Sequence, residues 1–300
     1  MAELRIAQLS DTHFLEDGEQ PEGGFAYDTD AAFDAVFDHM AGTEYDLVVV
    51  TGDIADHGRP AQYRKAAEAF ARIDAPVNVC PGNHDFVAPF TAGVGRPTVN
   101  TSRVLELGRW AFLFVETCAG NMLLDPTTGR FVDPPGEERL HSNGCLGPVE
   151  SAWIAEMAAT TEADHVFVWL HHPPSPGSRL SVDDAYTDEW RTLLARLPNV
   201  VGMASGHTHM PEHYEFEGRS VFVAPSLKNS FSIAEGTWLP PGYRTFTFGD
   251  DGSVASDVHL IDDERWPRRP LGRALTSLFN GELTYDEFNE IVARKAAQRR

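Results

Sequence analysis

The 300-residue chain has little cysteine: only Cys80, Cys118 and Cys145, with no CxxC spacing. Such a count excludes a disulfide framework, and an odd, unpatterned set suits a reducing compartment. Positive charge is scarce as well. Lys and Arg total 24, of which only Lys65, Lys228 and Lys295 are lysine, against 45 Asp and Glu, for a net charge of −21. That balance excludes a nucleic-acid backbone or an anionic membrane as a bulk partner, because steering toward phosphate needs the opposite sign. No apolar run approaches the roughly 18–20 residues needed to cross a bilayer. The start, Met1-Ala2-Glu3-Leu4-Arg5, has neither a basic n-region nor a cleavage pattern, so no signal peptide is expected and the cytoplasm is the expected location.

What is present is an ordinary globular balance, 42% hydrophobic and 23% charged. It excludes a disordered, collagen-like or coiled-coil chain, and the length allows a large core in one or two domains. Short apolar runs at 5–9, 47–51, 77–80, 110–115, 165–170 and 200–204 read as strands buried on both faces. Helical patterns lie between them at 30–40, with Thr29 as a cap, at 60–73, with Pro60 at its start, and at 149–157 and 184–197. This alternation predicts an α/β architecture. Strand-like runs at 220–224, 244–248 and 253–261, the last two joined by the hairpin signal Gly249-Asp250-Asp251-Gly252, make the sheet system mixed.

Two stretches break the rhythm. Residues 117–144, rich in Gly and Pro, read as a lid or as an inert insertion. Residues 265–300 carry eight basic and four acidic side chains. There Pro267 and Pro270 suggest a linker, and Leu271, Leu275, Leu278 and Phe279 one apolar face. Gly281 is a break, Thr284 a cap, and Phe288, Ile291 and Val292 a second face. The expected organisation is a domain over 1–264 and a short helical hairpin over 265–300, packed on that domain or free to dock or dimerise.

Five short segments hold six of the twelve histidines. They are Asp11-Thr12-His13, Gly52-Asp53, Gly82-Asn83-His84-Asp85, His171-His172 and Gly206-His207-Thr208-His209, each just after a predicted strand. Ligands of open α/β sheets bind at the carboxyl ends of strands, so the five segments should converge. Carboxylate, imidazole and amide donors without thiolate suit hard-to-borderline divalent metals. Seven candidate donors exceed one tetrahedral ion and suit two ions sharing a carboxylate, the arrangement used in phosphoryl hydrolysis. Each segment alone is weak; the set of five, in order and each after an apolar strand, is specific.

The set resembles the calcineurin-like metallophosphoesterase superfamily, with its Asp-x-His, Gly-Asp, Gly-Asn-His-Asp/Glu, His and Gly-His-x-His signature. Ser10-Asp11-Thr12-His13, the run Thr51 to Gly58, Pro81 to Asp85 and His171-His172-Pro173-Pro174 are most similar to bacterial class III cyclic-nucleotide phosphodiesterases and related glycerophosphodiesterases, over about residues 4–262. The resemblance implies a four-layer α/β/β/α sandwich of two mixed sheets. It implies two divalent ions of the iron, manganese or zinc class. Asp11, His13 and His209 would bind the first, Asn83, His171 and His207 the second, and Asp53 both. His84 would be catalytic, contacting the phosphate and assisting the leaving alkoxide, with Asp85 and His172 orienting ligands.

The implied reaction is attack on a small phosphodiester by hydroxide formed between the ions, with cyclic nucleotides of the 3′,5′-cAMP type first. Alternatives are a glycerophosphodiester, a broad phosphodiester or phosphomonoester range, or a silent metal-binding regulator. Serine/threonine phosphatases of the superfamily carry Arg where this chain has His57, and Asn-His-Glu where it has Asn83-His84-Asp85; both departures weigh against a protein phosphatase. A base platform could come from Phe14, Phe25, Tyr27, His57, Phe231 or Trp238, each weighed against a role in the core. A homo-oligomer is compatible with all of this.

Overall fold

The computed structural model describes residues 3–21, 26–94, 99–127, 130–136, 143–175, 184–279, 281–284, 287–288, 290–291 and 294. The chain runs β1 Leu4–Leu9, α1 Thr29–Met40, β2 Leu47–Thr51, α2 Pro60–Phe70, β3 Val77–Cys80, α3 Val87–Val94, β4 Val99–Asn100, β5 Val104–Leu107 and β6 Trp110–Phe114. The short strands β7 Leu123–Leu124 and β8 Phe131–Val132 follow, then α4 Gly147–Thr160, β9 His165–Trp169, α5 Asp184–Leu194 and β10 Val200–Ser205. The last part holds β11 His213–Phe216, β12 Arg219–Val223, β13 Ser230–Ser232, β14 Thr237–Leu239, β15 Gly242–Phe248, β16 Val254–Leu260, β17 Arg269–Pro270 and α6 Arg273–Phe279.

Two six-stranded mixed sheets result, ordered β16-β15-β1-β2-β3-β4 and β11-β12-β10-β9-β6-β5. In the first, β1 to β4 are parallel, β15 pairs antiparallel with β1, and β16 pairs antiparallel with β15. In the second, β6, β9, β10 and β12 are parallel, and β5 and β11 are antiparallel edges.

Period-2 alternation sends each strand's side chains into two different cores. Ile6, Leu47 and Val49 of the first sheet meet Trp110, Phe112, Phe167 and Trp169 of the second in a layer between the sheets. That layer is aromatic and packs edge to face, as ring quadrupoles favour: Trp110 and Phe248 lie 4.8 Å apart, Phe167 and Phe248 4.9 Å. The alternate residues Ala7, Leu9, Val48 and Val50 face outward onto Phe33 and Val36 of α1, Tyr63 and Phe70 of α2, and Phe90 of α3. On the other side Ala111, Leu113, Val166 and Val168 face Ile154 of α4 and Tyr186, Trp190 and Leu193 of α5. The order is therefore helices, sheet, sheet, helices, as the family resemblance implied.

Polar ties cross the seam between the sheets near the strand ends. Gln8 Nε2 donates to Thr51 Oγ1 (2.8 Å) and to Ser205 O of the opposite sheet (2.9 Å). The buried Arg244 of β15 donates through Nη2 to Val223 O (3.0 Å) and Glu212 O (2.9 Å).

Several boundaries differ from the sequence reading. The cap of α1 is Asp28, whose Oδ1 accepts from Ala31 N, so Thr29 is already helical. Helices expected at 60–73 and 184–197 stop at Phe70 and Leu194, while α4 extends beyond 149–157 at both ends. Within 117–144 the described residues form a turn at Ala119–Asn121 and the β7–β8 hairpin. Residues 265–270 are docked: Trp266 is buried in the first outer core and β17 pairs with β14. Beyond α6, Gly281 has φ 73°, and Thr284 and Glu287 form a reciprocal capping pair. Among the described residues no helix is long and apolar enough to cross a membrane.

Candidate metal centre

Strands β1, β2 and β3 of one sheet and β9 and β10 of the other end at the same edge, and the chain turns sharply at each end. Among the described residues six non-glycine positions have positive φ, and five of them are Asp11 (51°), His13 (44°), Asp53 (50°), His207 (68°) and His209 (57°). A left-handed backbone costs an L side chain roughly 1–2 kcal/mol. Such conformations persist where the surroundings over-determine them, typically at functional sites. Glycines make room for the packed turns: a Cβ on Gly82 would sit 2.3 Å from Asp53 Oδ1, and one on Gly206 1.8 Å from Ser10 Oγ.

All five sequence segments converge. Both oxygens of Asp11 accept from His207 N–H, at 3.1 and 3.2 Å, and Oδ1 lies 3.1 Å from His209 Nε2. Asp53 Oδ1 accepts from His84 N–H (2.9 Å) and lies 3.3 Å from His171 Nε2, while Oδ2 lies 3.4 Å from His13 Nε2. Asn83 Oδ1 is 3.1 Å from both His171 Nε2 and His207 Nδ1, which are 3.2 Å apart. Three clusters have donor atoms within 4.8 Å of one another: Asp11–His13–His209, His13–Asp53–His84 and Asp11–Asp53–His171. A fourth brings His172 to His171 and His207.

The outer ring nitrogens decide which atoms face inward. His171 Nδ1 donates to Thr51 O (2.8 Å) and His84 Nδ1 to Asp56 O (2.6 Å). His13 Nδ1 lies 2.9 Å from Asp56 Oδ1, and His209 Nδ1 bonds Asn229 Oδ1. Each contact leaves Nε2 toward the shared space. Asp85 collects the N–H groups of Gly82, Ile54 and Ala55 and so locks the two loops carrying Asp53 and Asn83 together. His172 pairs through Nδ1 with Thr117 Oγ1 (2.7 Å), and its ring lies 4.1 Å from that of His207.

Burial alone would raise the carboxyls, but nearby imidazoles win. His209 and His171 hold Asp11 at about 2, and His171, His84 and His13 hold Asp53 well below the usual range. His171 shows the converse. Burial opposes its charge, yet Asp53 and Asp11 lift it to about 9. Burial and Lys228 push His13 down to about 4, and burial and His171 push His207 down to about 3. Burial and Asp53 raise Asp85 to about 6 against its three N–H donors.

These residues fit divalent cations. Both ring nitrogens of His13 are buried without a geometric hydrogen bond, Nε2 facing Asp53 and Nδ1 facing Asp56, and His207 Nε2 is buried without one. Two imidazole nitrogens and an amide oxygen face one another at about 3 Å, beside two ionised carboxylates. The set is oxygen and imidazole with no thiolate, the chemistry of hard-to-borderline ions.

The sequence reading missed the outer partners Asp56, Lys228 and Asn229; no spacing rule signals them, although Lys228 is one of three lysines in the chain. Most base-platform candidates are structural. Phe14 is buried against Phe33 and Phe70, and Tyr27 donates to Leu239 O beside Trp266. His57 Nε2 lies 3.1 Å from Gln20 O. Phe231 packs edge-on against Trp238, and its N–H donates to His209 O, so that pair does border the centre. Phe25 lies outside the described residues.

A sequence profile described as calcineurin-like phosphoesterase matches residues 4–211. Among curated proteins the chain is 28% identical over 275 residues to the 3′,5′-cyclic adenosine monophosphate phosphodiesterase CpdA of Escherichia coli K12, covering 88% of this chain and 92% of that one. It is 24% identical to the glycerophosphodiester phosphodiesterase GpdQ of Enterobacter lignolyticus, over 74% of this chain and 77% of that one. Among solved structures, a dimetal phosphatase of Danio rerio superposes with a TM-score of 0.56 at 14% identity, covering 86% of this chain and 99% of that one, a likeness of fold.

Proposed function

Since this chain belongs to the calcineurin-like phosphoesterase family, we propose that it is a two-metal phosphodiesterase of small substrates, cyclic nucleotides of the 3′,5′-cAMP type first. The observation that carries this reading is the convergence of seven donors around Asp53, which faces imidazoles of both sheets. Asp11, His13 and His209 would hold one ion, Asn83, His171 and His207 the other, and Asp53 both. Ions there, of the iron, manganese or zinc class, would neutralise phosphate charge and supply hydroxide at neutral pH.

The chain's own residues do the rest. Asp11 and Asp53 stay ionised over the working pH range. His84 commits its Nδ1 proton to Asp56 O, so its Nε2, carrying the second proton of the imidazolium form, is the atom that would hand a proton to the leaving alkoxide and be left as a lone pair. Asp85 and His172 hold the loops and rings in register. All seven donors come from one chain, so a homo-oligomer is not needed to complete the site. The catalytic unit is residues 1–264 together with the docked stretch through Pro270, with the described part of 117–144 at its rim and the remainder of 265–300 appended, working in the cytoplasm.

Similarity to CpdA and a charge of −21, which disfavours polynucleotides, support a small cyclic nucleotide. Similarity to GpdQ supports a second reading, a glycerophosphodiesterase. The test is a panel on manganese-reconstituted protein comparing kcat/KM for 3′,5′-cAMP, 2′,3′-cAMP, glycerophosphodiesters and a monoester. The expected result is a preference for 3′,5′-cAMP. A preference for glycerophosphodiesters selects the second reading, and a metal-loaded protein inert on every ester is a regulator, not an enzyme.

A further inference from the structure

Both histidines of the first triad are held from one short stretch of chain, the turn at 224–229 between β12 and β13. The turn is anchored under the site. Leu227 N–H donates to Ser10 O, and Lys228 N–H and Ser226 Oγ donate to Asp11 O, each at 3.3 Å. Ser226 Oγ in turn accepts from Lys228 N–H (3.0 Å) and Asn229 N–H (3.2 Å), which closes the turn. Lys228 O accepts from Tyr27 N–H at 2.8 Å.

Two neighbouring side chains leave this turn for different ligands. Lys228 is only 5% exposed, and its Nζ lies 2.6 Å from Asp56 Oδ1, the atom that faces His13 Nδ1 at 2.9 Å. Asn229 Oδ1 bonds His209 Nδ1 directly. The second triad is held otherwise: His171 Nδ1 donates to a backbone carbonyl, Thr51 O.

We propose that Lys228 and Asn229 are positioning residues for the first ion alone, Asn229 fixing the ring of His209 and Lys228 fixing that of His13 through Asp56. The proposal rests on the two-ion reading above. A histidine ligand needs its outer nitrogen committed as a donor so that the inner one offers a lone pair. Asn229 supplies the acceptor for His209. For His13 the partner is Asp56, which spans two histidines, Oδ1 at 2.9 Å from His13 Nδ1 and Oδ2 at 3.5 Å from His57 Nε2; the Lys228 ammonium, on Oδ1, holds that oxygen against His13.

The experiment is calorimetric titration of the metal-stripped full-length protein with Mn²⁺, with bound metal counted after desalting and folding checked by circular dichroism. Wild type should take up two ions. Asn229→Ala and Lys228→Met should each weaken one binding event about 10–100-fold and leave the other unchanged. Asn229→Asp, which keeps an acceptor oxygen, and Lys228→Arg, which keeps the charge, should restore most of the affinity. Asn83→Ala should weaken the other event, so Asn83→Ala combined with Asn229→Ala should weaken both. Wild-type affinity in Asn229→Ala and Lys228→Met overturns the proposal, as does no rescue by Asn229→Asp, or a double variant that binds like Asn83→Ala. Failure of wild type to bind Mn²⁺ overturns the two-ion reading itself, a distinct result.

Discussion

Left-handed turns away from the site and at the site are built from different residues. Between β15 and β16 the turn is taken by Gly252 (φ 88°), between β5 and β6 by Gly108 (59°), and after α1 by Gly42 (82°). At the ends of β1, β2 and β10 the same region of backbone space is occupied by Asp11, His13, Asp53, His207 and His209. Glycine enters this region at no steric cost, whereas a side chain adds roughly 1–2 kcal/mol. Elsewhere, with Glu217 (φ 49°) as the exception among the described residues, the chain takes the relaxed solution; at the site, Gly52 (φ 84°) apart, it keeps the side chain. Five strained donors, aimed inward and held by outer partners, are a structure organised around something other than its own stability.

The largest effect should come from the donor shared by both sheets. Asp53→Ala should remove both ions from the metal count and lower kcat by about 10³-fold or more, on the scale of lost electrostatic catalysis. If it costs no more than Asn83→Ala, Asp53 does not serve both halves.

Next come the glycines of the two regions. A Cβ on Gly206 would meet Ser10 Oγ at 1.8 Å and Asp11 Oδ2 at 2.5 Å, whereas around Gly218 nothing lies within 4 Å. Gly206→Ala should therefore lower stability in urea by about 1–3 kcal/mol and reduce metal content. Gly218→Ala, at φ 71°, should cost about 1–2 kcal/mol through backbone strain and leave metal content alone. Equal metal loss in the two would erase the contrast.

The pH dependence of chelator-treated protein comes third. His171 is lifted from 6.5 to about 9, so its contribution to stability is complete below pH 6.5 and disappears as pH rises to about 9. Asp11 is lowered from 3.8 to about 2, so its contribution is present above pH 3.8 and disappears as pH falls to about 2. Melting temperatures from pH 6.5 to 9 should fall in the chelated wild type and fall less in His171→Gln. The same slope in both would show that His171 does not carry the term.

The smallest effect has the sharpest sign. At His209 (φ 57°) the Gly variant should be more stable than the Ala variant by about 1–2 kcal/mol. At His171, which is not among the positive-φ residues, Ala should be the more stable by about 0.5–1 kcal/mol. Metal-free denaturant titrations of the four variants measure both differences, and one sign at both positions would remove the distinction between strained and unstrained donors.

Much of this was legible beforehand. β2 and β3 lie at the predicted residues, because four or five consecutive buried residues leave a strand no other reading. The donor segments were legible because metal chemistry restricts residue type and the sheet restricts where each can stand. The hairpin at 249–252 was announced by its glycines. What was not legible depends on tertiary contact. Helix α3, Val87–Val94, contains Pro89 and Gly93 and has no clean apolar stripe; it exists because Gly93 packs on Tyr63, where a Cβ would come within 2.4 Å. The pairing of Lys228 with Asp56 joins residues 172 positions apart and leaves no local trace. Aromatic residues offered as base platforms could not be told from core, since Phe14 satisfies the composition of either.

The seam between the sheets also sets a timetable. Asp11, His13, Asp53 and Asn83 belong to the first sheet, and the remaining three donors to the second, the first of them, His171, 88 residues beyond Asn83. At about 5–20 residues per second of synthesis, the early donors leave the ribosome roughly 4–18 s ahead of the late ones. The first sheet itself stays open on one side longer, because β1, already paired with β2, acquires its second neighbour only when Phe248 arrives to pair with Leu4. A newborn chain therefore passes through a stage in which Asp11 and Asp53 have only the early imidazoles of His13 and His84 beside them and none from the second sheet. Closing the centre belongs among the last acts of folding, and a chain truncated before β10 would lack the Gly206-His207-Thr208-His209 segment altogether.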